Sequence, residues 1–488
     1  MLSLGRRWHS DNLSANRLRS AERGAPRSAR GARTCARPCD DGPVTTRLTP
    51  VLTSPGRELL EALEAMPDRA GMDPLRLGGL LRAQGVAPEV AAGVLAQLDL
   101  RDRAEAKFGP FARTMVFTRD GLEQATRMIV AALHARRFLD AGATRVADLG
   151  CGIGGDALAM AGLGLGVSAI DLDPEAAAAA AANLRAFPDA EVAVGDVRDL
   201  TPEGLAAAGV DAVFADPARR TGQARGGLRV LAPQEWSPPL SWVLGWRGSM
   251  ERLGVKMAPG VPHAALPPDC HVQWTSVDGD LVEAALWTPA LSPEGPGRSA
   301  RVIRGGRSRV LMDEGVPAWP GPGTPAASGM RSPAVQGAES PASAGRERPG
   351  GHTADEPVRQ APDGPIGSVV AEPDPAVIRA GLVARLAEDL GAHLLSPGIA
   401  WLTGDGLPPT PFAARFEVFD VVPLRVSAID RALAPLDVGR VEVKKRGADV
   451  DPQAIRAGLH LEGVGEATVI ATRVQGRHRA IIARRAEP

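Results

Sequence analysis

Four short, mostly apolar runs follow one another through the middle of the chain, and an acidic residue stands near the end of each. The runs cover residues 146–149, 167–170, 191–194 and 210–215. Their length is typical of strands that are buried on both faces of a parallel sheet. Because the carboxyl ends of parallel strands meet at one edge of the sheet, we expect the acidic residues to lie along that edge.

Helical patterns come before and between these runs. Ser54-Pro55 and Asp73-Pro74 each place a capping side chain before a proline at the first helical position, so they predict helices within residues 54–109. Helices that alternate with buried strands are typical of an α/β fold. We therefore expect residues 110–312 to form an α/β domain with residues 54–109 as a helical cap.

The pattern changes after the fourth run. Residues 254–257 predict a fifth strand, and residues 271–277 and 280–287 predict a hairpin that closes the sheet with antiparallel strands. Residues 313–368 are rich in Pro, Gly, Ser and Ala without periodicity, which predicts a disordered linker or insertion. A loop of this length favours a domain boundary nearby, so residues 369–488 are expected to form a separate α+β unit.

Closely spaced glycines follow the first strand. Gly150, Gly152 and Gly154 come directly after Asp148 and just before a helical stretch. A strand, a glycine turn and a helix together form an arrangement in which a cofactor lies against backbone N–H groups. Asp171 ends the second strand about 20 residues later, where an acid suits hydrogen bonds to ribose hydroxyls.

These features together resemble the class I S-adenosylmethionine-dependent methyltransferases. Residues 148–154 are similar to their first motif, of the type D-x-G-x-G-x-G. The resemblance implies a Rossmann-like sheet, S-adenosylmethionine as the cofactor, ribose binding by Asp171 and adenine contact by Asp196. It also implies that Asp216-Pro217 is the substrate-side motif. A nicotinamide-binding Rossmann domain is the competing interpretation, and Asp216-Pro217 has no role in it.

A partial resemblance precedes the first motif. Phe117-Thr118 is similar to the Phe-x-Val-Thr-Pro-Glu stretch of the branch that includes trimethylguanosine synthase, although Arg119-Asp120 stand in place of Pro-Glu. In that branch the stretch borders the cofactor, so the resemblance implies that Thr118 does too. It also favours N2 of guanine as the methyl acceptor. A second interpretation of Thr118 is a helix N-cap alone.

The residues after Asp216-Pro217 depart from the motif of base amino-methyltransferases. In those enzymes a second proline and an aromatic residue follow, and the acid and its backbone carbonyl accept hydrogen bonds from the exocyclic amine. Ala218 and Arg219 stand here instead, and an Arg guanidinium can also stack on a base. Arg219 and Arg220 begin a basic loop that is expected either to contact phosphate or to be merely solvated.

The cysteines favour neither metal binding nor catalysis. Cys35, Cys39, Cys151 and Cys270 are scattered and give no disulfide framework or zinc set, so no metal is expected. Asp-Pro-x-Arg is also similar to a motif of the uracil-C5 RNA methyltransferases, which need a nucleophilic Cys after a later strand. Cys270 precedes a predicted strand, which argues against that alternative.

The last part of the chain resembles the THUMP-like domain found behind some bacterial methyltransferases. Asp374-Pro375 predicts the start of a helix that runs to Gly391, and the stretch at residues 441–447 carries most of the resemblance. THUMP domains bind RNA, so the resemblance implies an RNA partner. The cations expected to share one RNA-binding face are Lys444, Lys445 and Arg446, together with Arg473, Arg477 and Arg479.

Composition limits the possible partners and location. Lys and Arg total 56 against 57 Asp and Glu, so nucleic-acid binding requires local basic patches. Residues 1–48 hold ten Arg against four acidic residues and predict a disordered extension, with an organelle transit peptide as a partly similar alternative. No apolar run has the length of a membrane span, and a cytoplasmic location is expected.

The sequence as a whole predicts a methyltransferase that acts on a base of structured RNA, either tRNA or rRNA. Two alternatives are open. The acceptor is a small molecule or a protein in the first, and in the second the chain is a non-catalytic RNA-binding protein that retains the cofactor pocket. The sequence does not indicate an oligomeric state.

Overall fold

The computed structural model describes residues 46–67, 69, 72–218, 232–312 and 361–486. Nearly all of the predicted extension and most of the predicted linker lie outside these residues. So do Arg219 and Arg220, whose predicted contacts with phosphate therefore stay predictions from sequence.

The helical cap forms as predicted and packs on the α/β domain. Its helices are α1 (Thr49–Leu52), α2 (Ser54–Glu64), α3 (Pro74–Ala83) and α4 (Pro88–Phe108). Asp73 caps α3 by accepting from the backbone N–H of Leu75, whereas Thr53, one residue earlier than expected, caps α2. Phe108 at the end of α4 packs in the same core as Phe117 and Val146, so the cap and the α/β domain share one apolar interior.

A sheet of nine strands forms the α/β domain. In chain order the elements are α5 (Arg119–Gln124), α6 (Met128–Asp140), β1 (Arg145–Leu149), α7 (Gly155–Gly162), β2 (Gly166–Asp171), α8 (Pro174–Leu184), β3 (Ala190–Val194), α9 (Pro202–Ala207), β4 (Ala212–Ala215), α10 (Leu240–Leu244), β5 (Arg252–Met257), β6 (His271–Val277), β7 (Asp280–Trp287), β8 (Gly297–Arg304) and β9 (Arg307–Met312). The strand order is β3-β2-β1-β4-β5-β7-β6-β8-β9. Strands β1 to β5 are parallel, and β7 lies antiparallel between β5 and β6. The predicted Rossmann-like sheet is confirmed.

A second sheet of seven strands follows. Its elements are β10 (Val369–Pro373), α11 (Pro375–Arg379), α12 (Val383–Leu390), β11 (His393–Ser396), β12 (Ile399–Gly404), β13 (Ala413–Pro423), α13 (Val426–Leu433), β14 (Val438–Lys445), α14 (Pro452–Ala457), β15 (Gly465–Val474) and β16 (Arg477–Arg485). The strand order is β11-β12-β10-β13-β16-β15-β14. Strands β15 and β16 form a hairpin over Gln475-Gly476.

The beginning of this second unit differs from the prediction in two ways. The helix expected from Pro375 to Gly391 is broken into α11 and α12, because Gly381 between them has a φ of 72° that no helix allows. Residues 361–368, assigned to the linker, already belong to the folded part. Ala361 is buried there, and the backbone N–H of Gly364 donates to the carbonyl of Leu394.

The two sheets are joined by a shared apolar core. Helix α11 packs on β6, β7 and β8 of the first sheet, and buried side chains of both α11 and α12 belong to the same apolar core. This core includes Trp274, Leu286 and Ala300 from the first sheet and Val377, Leu386 and Leu402 from the second unit. Residues 369–488 therefore share part of their apolar interior with the α/β domain.

Candidate active site

The glycine turn after β1 contains three glycines with different surroundings. Gly150, Gly152 and Gly154 all have positive φ, between 55° and 82°. A Cβ on Gly150 would lie 2.8 Å from the carbonyl oxygen of Asp216, and one on Gly154 would lie 3.2 Å from Ala180. A Cβ on Gly152 would meet no atom within 4 Å. The first and third glycines thus permit close packing, and Gly152 faces open space.

Two polar side chains fix this turn. Asn183 of α8 donates to the carbonyl of Ile153 at 2.8 Å and exchanges two hydrogen bonds with the backbone of Val116. Thr118 accepts from the backbone N–H of Gly121, as an N-cap of α5 does. Gly121 in turn lies against Ile153. Thr118 is therefore a helix cap close to the glycine turn, and its predicted cofactor contact stays a prediction.

Asp171 lies directly beside the open glycine. Its carboxylate accepts from the backbone N–H of Gly152 at 2.7 Å and from that of Asp173 at 2.8 Å. Burial raises the pKa of Asp171 above its ordinary value, although these two donors act in the opposite direction. Asp196, at the end of β3, accepts instead from Arg198, whose side chain lowers the pKa of that carboxyl.

Asp148 is a buried acid with one oxygen that lacks a partner. Its Oδ2 atom has no hydrogen bond to any described residue. Burial raises the pKa of Asp148 well above its ordinary value, and the nearby carboxylates of Asp156 and Asp216 add to the rise. A buried acceptor without a donor is costly, so its position next to the glycine turn indicates a place for a bound cationic or donor group.

Asp216 forms an ion pair with a lysine that was not predicted as a site residue. Lys256, on the neighbouring strand β5, places its Nζ 2.6 Å from Oδ2 of Asp216. Lys256 is buried, whereas a quarter of the Asp216 side chain is exposed. Burial lowers the pKa of Lys256, but the carboxylates of Asp216, Asp156 and Glu283 outweigh it and hold that pKa above its ordinary value. A lysine inside an apolar strand was the available sequence signal.

A second buried group of charges lies against Lys256. His134 of α6 contacts Asp156 through Nδ1 at 2.8 Å and Glu283 through Nε2 at 2.7 Å, and Thr126 donates to the other oxygen of Asp156. Burial opposes the charged imidazole, but the two carboxylates prevail and raise the pKa of His134 to about 10. No local pattern links these residues, because they come from separate helices and strands.

The predicted basic residues of the second sheet are bound within it. Lys444 pairs with Glu372 at 2.9 Å, and Lys445 donates to the carbonyl of Val450. Arg446 donates to the carbonyl of Ala400. These contacts do not support the predicted role of Lys444, Lys445 and Arg446 as one open RNA-binding face.

Arg473, Arg477 and Arg479 contrast with these three residues. They lie at the turn of the β15–β16 hairpin, and the first two are exposed. Their side chains form no ion pair with any described residue. The basic face predicted from the sequence is thus divided between internally bound and open cations.

The remaining sites carry no chemistry of their own. Cys270 is buried beside Arg247, and burial raises the pKa of its thiol to about 11, which argues against the nucleophilic role that a uracil-C5 mechanism requires. A cavity of about 350 Å³ lies between the helical cap and α8, away from the acidic strand ends. Within the described residues, no helix could span a membrane and no group of side chains could hold a metal ion.

Comparisons with known proteins agree with this geometry. Family models match residues 146–224 as a methyltransferase domain, residues 413–485 as a THUMP domain-like region and residues 45–104 as a domain of unknown function. Uncharacterized S-adenosylmethionine-dependent methyltransferases from two strains of Mycobacterium tuberculosis are each 30% identical over 386 residues. The match covers 77% of this chain and 90% of the relative. The chain belongs to the S-adenosylmethionine-dependent methyltransferases.

A solved structure supports the fold of this methyltransferase. A proposed methyltransferase of Porphyromonas gingivalis W83 is 18% identical, with a TM-score of 0.63, and the match covers 88% of this chain and 99% of that one. The predicted enzyme class, the cofactor S-adenosylmethionine and the THUMP-like domain are confirmed, and the nicotinamide alternative is wrong. The branch that includes trimethylguanosine synthase is not supported by these comparisons.

The acidic edge of this methyltransferase fits its cofactor. S-adenosylmethionine carries an ammonium group, a sulfonium and a ribose. The edge offers an unpartnered acid oxygen in Asp148, open space over Gly152 and a second acid in Asp171.

Proposed function

We propose that this methyltransferase modifies a base of structured RNA, either tRNA or rRNA, with N2 of guanine as the first acceptor to test. The observation that carries the proposal is the corner formed by Asp216 and Pro217. The backbone carbonyl of Asp216 lies against Gly150 of the cofactor turn. The partly exposed carboxylate of Asp216 accepts a hydrogen bond from the buried Lys256. A hydrogen-bond acceptor next to the cofactor turn suits an amine acceptor.

The cofactor would be held mainly by three residues. Gly152 would leave room for it, Asp171 would accept from its ribose, and Asp148 would accept from its ammonium group. Asp196 and Thr118 would border it, while Gly150 and Gly154 keep the turn close to the neighbouring backbone. When bound, S-adenosylmethionine supplies a methyl group on a cationic sulfur.

The chain's own contribution would be alignment of the acceptor. Asp216 would accept a hydrogen bond from the exocyclic amine and so direct the nitrogen lone pair towards the methyl group. Pro217 fixes the backbone directly after this acid, because its ring restricts φ. Alignment of this kind can supply about 7–11 kcal/mol of a reaction barrier.

The THUMP-like region and the exposed arginines support an RNA partner by analogy with its family. Lys444 and Arg446 are paired within their own domain and Lys445 donates to the carbonyl of Val450, so the proposed phosphate contacts move to Arg473, Arg477 and Arg479. Arg219 and Arg220, which follow the Asp216-Pro217 corner in sequence, are proposed to contact the same RNA.

The test is mass spectrometry of modified nucleosides in tRNA and rRNA from a strain that lacks the gene. We expect one methylated nucleoside, N2-methylguanosine first, to disappear and to return with the wild-type gene but not with Asp216→Ala. Calorimetry should find that Asp216→Ala binds S-adenosylmethionine within a few-fold of wild type. If no nucleoside changes in either RNA class, the acceptor is not an RNA base.

A further inference from the structure

We propose that Lys256 is a positioning residue for methyl transfer, which acts by holding Asp216 as an oriented, ionised hydrogen-bond acceptor. This inference rests on the proposed role of Asp216. It extends that role to a residue which would not itself touch the acceptor or the cofactor.

The sheet register brings the two residues together. Val255 of β5 pairs with Ala215 of β4, so Lys256 and Asp216 come one residue later on adjacent parallel strands. The distance between Nζ of Lys256 and Oδ2 of Asp216 is 2.6 Å. The link therefore runs from the sheet interior to the corner beside the cofactor turn.

The two ends of this ion pair differ in their surroundings. The Lys256 side chain is only 6% exposed, whereas that of Asp216 is 25% exposed. Lys256 takes up Oδ2 from inside, and no described residue donates a hydrogen bond to Oδ1. Oδ1 of Asp216 is therefore left to accept a hydrogen bond from a bound acceptor amine.

The groups around Lys256 favour its charged form. Asp156, Glu283 and Asp148 are buried acids near it, and the cations His134 and Lys107 oppose them. Asp156 and Glu283 are linked through His134 at 2.8 and 2.7 Å. This network holds the ammonium group of Lys256 beside Asp216.

An ionised carboxylate only accepts hydrogen bonds, and with Oδ2 bound to Lys256 the oxygen left for the acceptor amine is Oδ1. It cannot present a competing O–H donor to the amine, and the bond to Lys256 limits its rotation. Both effects would keep the acceptor nitrogen in one orientation. Misplacement of reacting atoms by about 1 Å can cost about 100-fold in rate.

The experiment compares Lys256→Met with Lys256→Arg in the full chain. The assay follows transfer of tritium from labelled S-adenosylmethionine to RNA isolated from the deletion strain. We expect Lys256→Met to lower kcat about 100-fold with little change in KM for RNA, and Lys256→Arg to recover most of the activity. Cofactor affinity by calorimetry should be unchanged in both variants.

A double-mutant cycle separates positioning from a structural role. If Lys256 acts through Asp216, Lys256→Met should cost little further rate in an Asp216→Asn background. Arg137→Met removes another largely buried ion pair of the same domain, with Glu294 at 2.8 Å, and serves as the matched control with unchanged kcat.

Three results would overturn the inference. They are full activity of Lys256→Met, additive losses in the double mutant, or equal loss of rate, cofactor affinity and melting temperature in both Lys256 variants. A wild-type protein that binds S-adenosylmethionine but transfers no label to RNA would instead contradict the proposed function. The two failures are thus distinguishable.

Discussion

The two sheets of this methyltransferase place their charges in different ways. At the carboxyl edge of the first sheet, buried acids and cations surround an open space, and Oδ2 of Asp148 has no described partner. On the second sheet, Lys444 and Arg446 find acids and carbonyls of their own domain. A cluster of charged residues therefore indicates a ligand-binding site only where some of its polar atoms lack a partner within the protein.

This contrast gives two kinds of expected effect. At the open edge, a substitution should change ligand affinity or rate more than stability. Among the paired cations of the second sheet, a substitution should change the free energy of unfolding and leave ligand affinity unchanged. The shared core beneath α11 and α12 adds a further expectation, because it joins the two regions energetically.

The largest effect is expected from removal of residues 361–488. The core that contains Trp274 and Leu286 would then be without Val377 and Leu386. Each large apolar side chain contributes about 1.5–3 kcal/mol on burial, and a domain is stable by only about 5–15 kcal/mol. We expect the truncated chain to be insoluble or unfolded by circular dichroism. A soluble truncated chain that binds S-adenosylmethionine would show that the sheets are independent.

A large loss of cofactor affinity is expected from Gly152→Val. The branched side chain would occupy the open space that the cofactor needs, and we expect affinity to fall at least about 100-fold, or about 2.7 kcal/mol. Gly164→Val is the matched control, because Gly164 also has a positive φ and open surroundings but lies in the turn before β2. Calorimetry with S-adenosylmethionine should find normal affinity for the control. Equal losses in both variants would mean that backbone strain, not the site, is responsible.

A pH effect should distinguish the buried His134 from the exposed His460. The pKa of His134 rises from an ordinary 6.5 to about 10 on folding. The charged His134 therefore adds on the order of 3–5 kcal/mol to the free energy of unfolding. This contribution is complete below pH 6.5 and is lost as the pH rises through 10. Melting temperatures from pH 6 to pH 10 should fall in wild type and fall less in His134→Gln.

His460→Gln provides the control for this measurement. The side chain of His460 is 85% exposed and pairs with Asp430 at the surface. An exposed surface pair contributes little to stability, so the melting profile of His460→Gln should follow that of wild type. If His134→Gln also follows wild type, the imidazole is not charged in the folded protein.

The smallest effects concern RNA affinity on the second sheet. Replacement of Arg473, Arg477 and Arg479 by Gln should weaken binding of a fluorescent tRNA transcript and reduce the salt slope by about one unit for each phosphate that is no longer bound. Arg446→Gln should leave binding unchanged and lower stability by about 1–3 kcal/mol, because it leaves carbonyl and acid partners unpaired. Fluorescence anisotropy and thermal unfolding measure the two effects. The reverse outcome would restore the basic stretch at residues 444–446 as the RNA-binding site.

The parallel strands, the glycine turn and the acids beside it follow from the amino-acid sequence alone. These features are local, because apolar runs specify buried strands and only glycine readily adopts the positive φ of Gly150, Gly152 and Gly154. The hairpin of β6 and β7 was also predictable, since it depends on a short turn between two patterned strands. Strands β10 to β12 were not predicted, because the first signal after the linker, Asp374-Pro375, indicates a helix.

The three-dimensional fold decides which residues face open space and which charged residues have a partner within the protein. The three glycines look alike in sequence, but only Gly152 faces open space. Lys256 is 40 residues from Asp216 and Glu283 is 149 residues from His134, so no periodicity could pair them. The same holds for Lys444 and Glu372, which meet only because the second sheet brings their strands together. The sequence shows which residues are charged, but only the packing of the folded chain determines which of them pair.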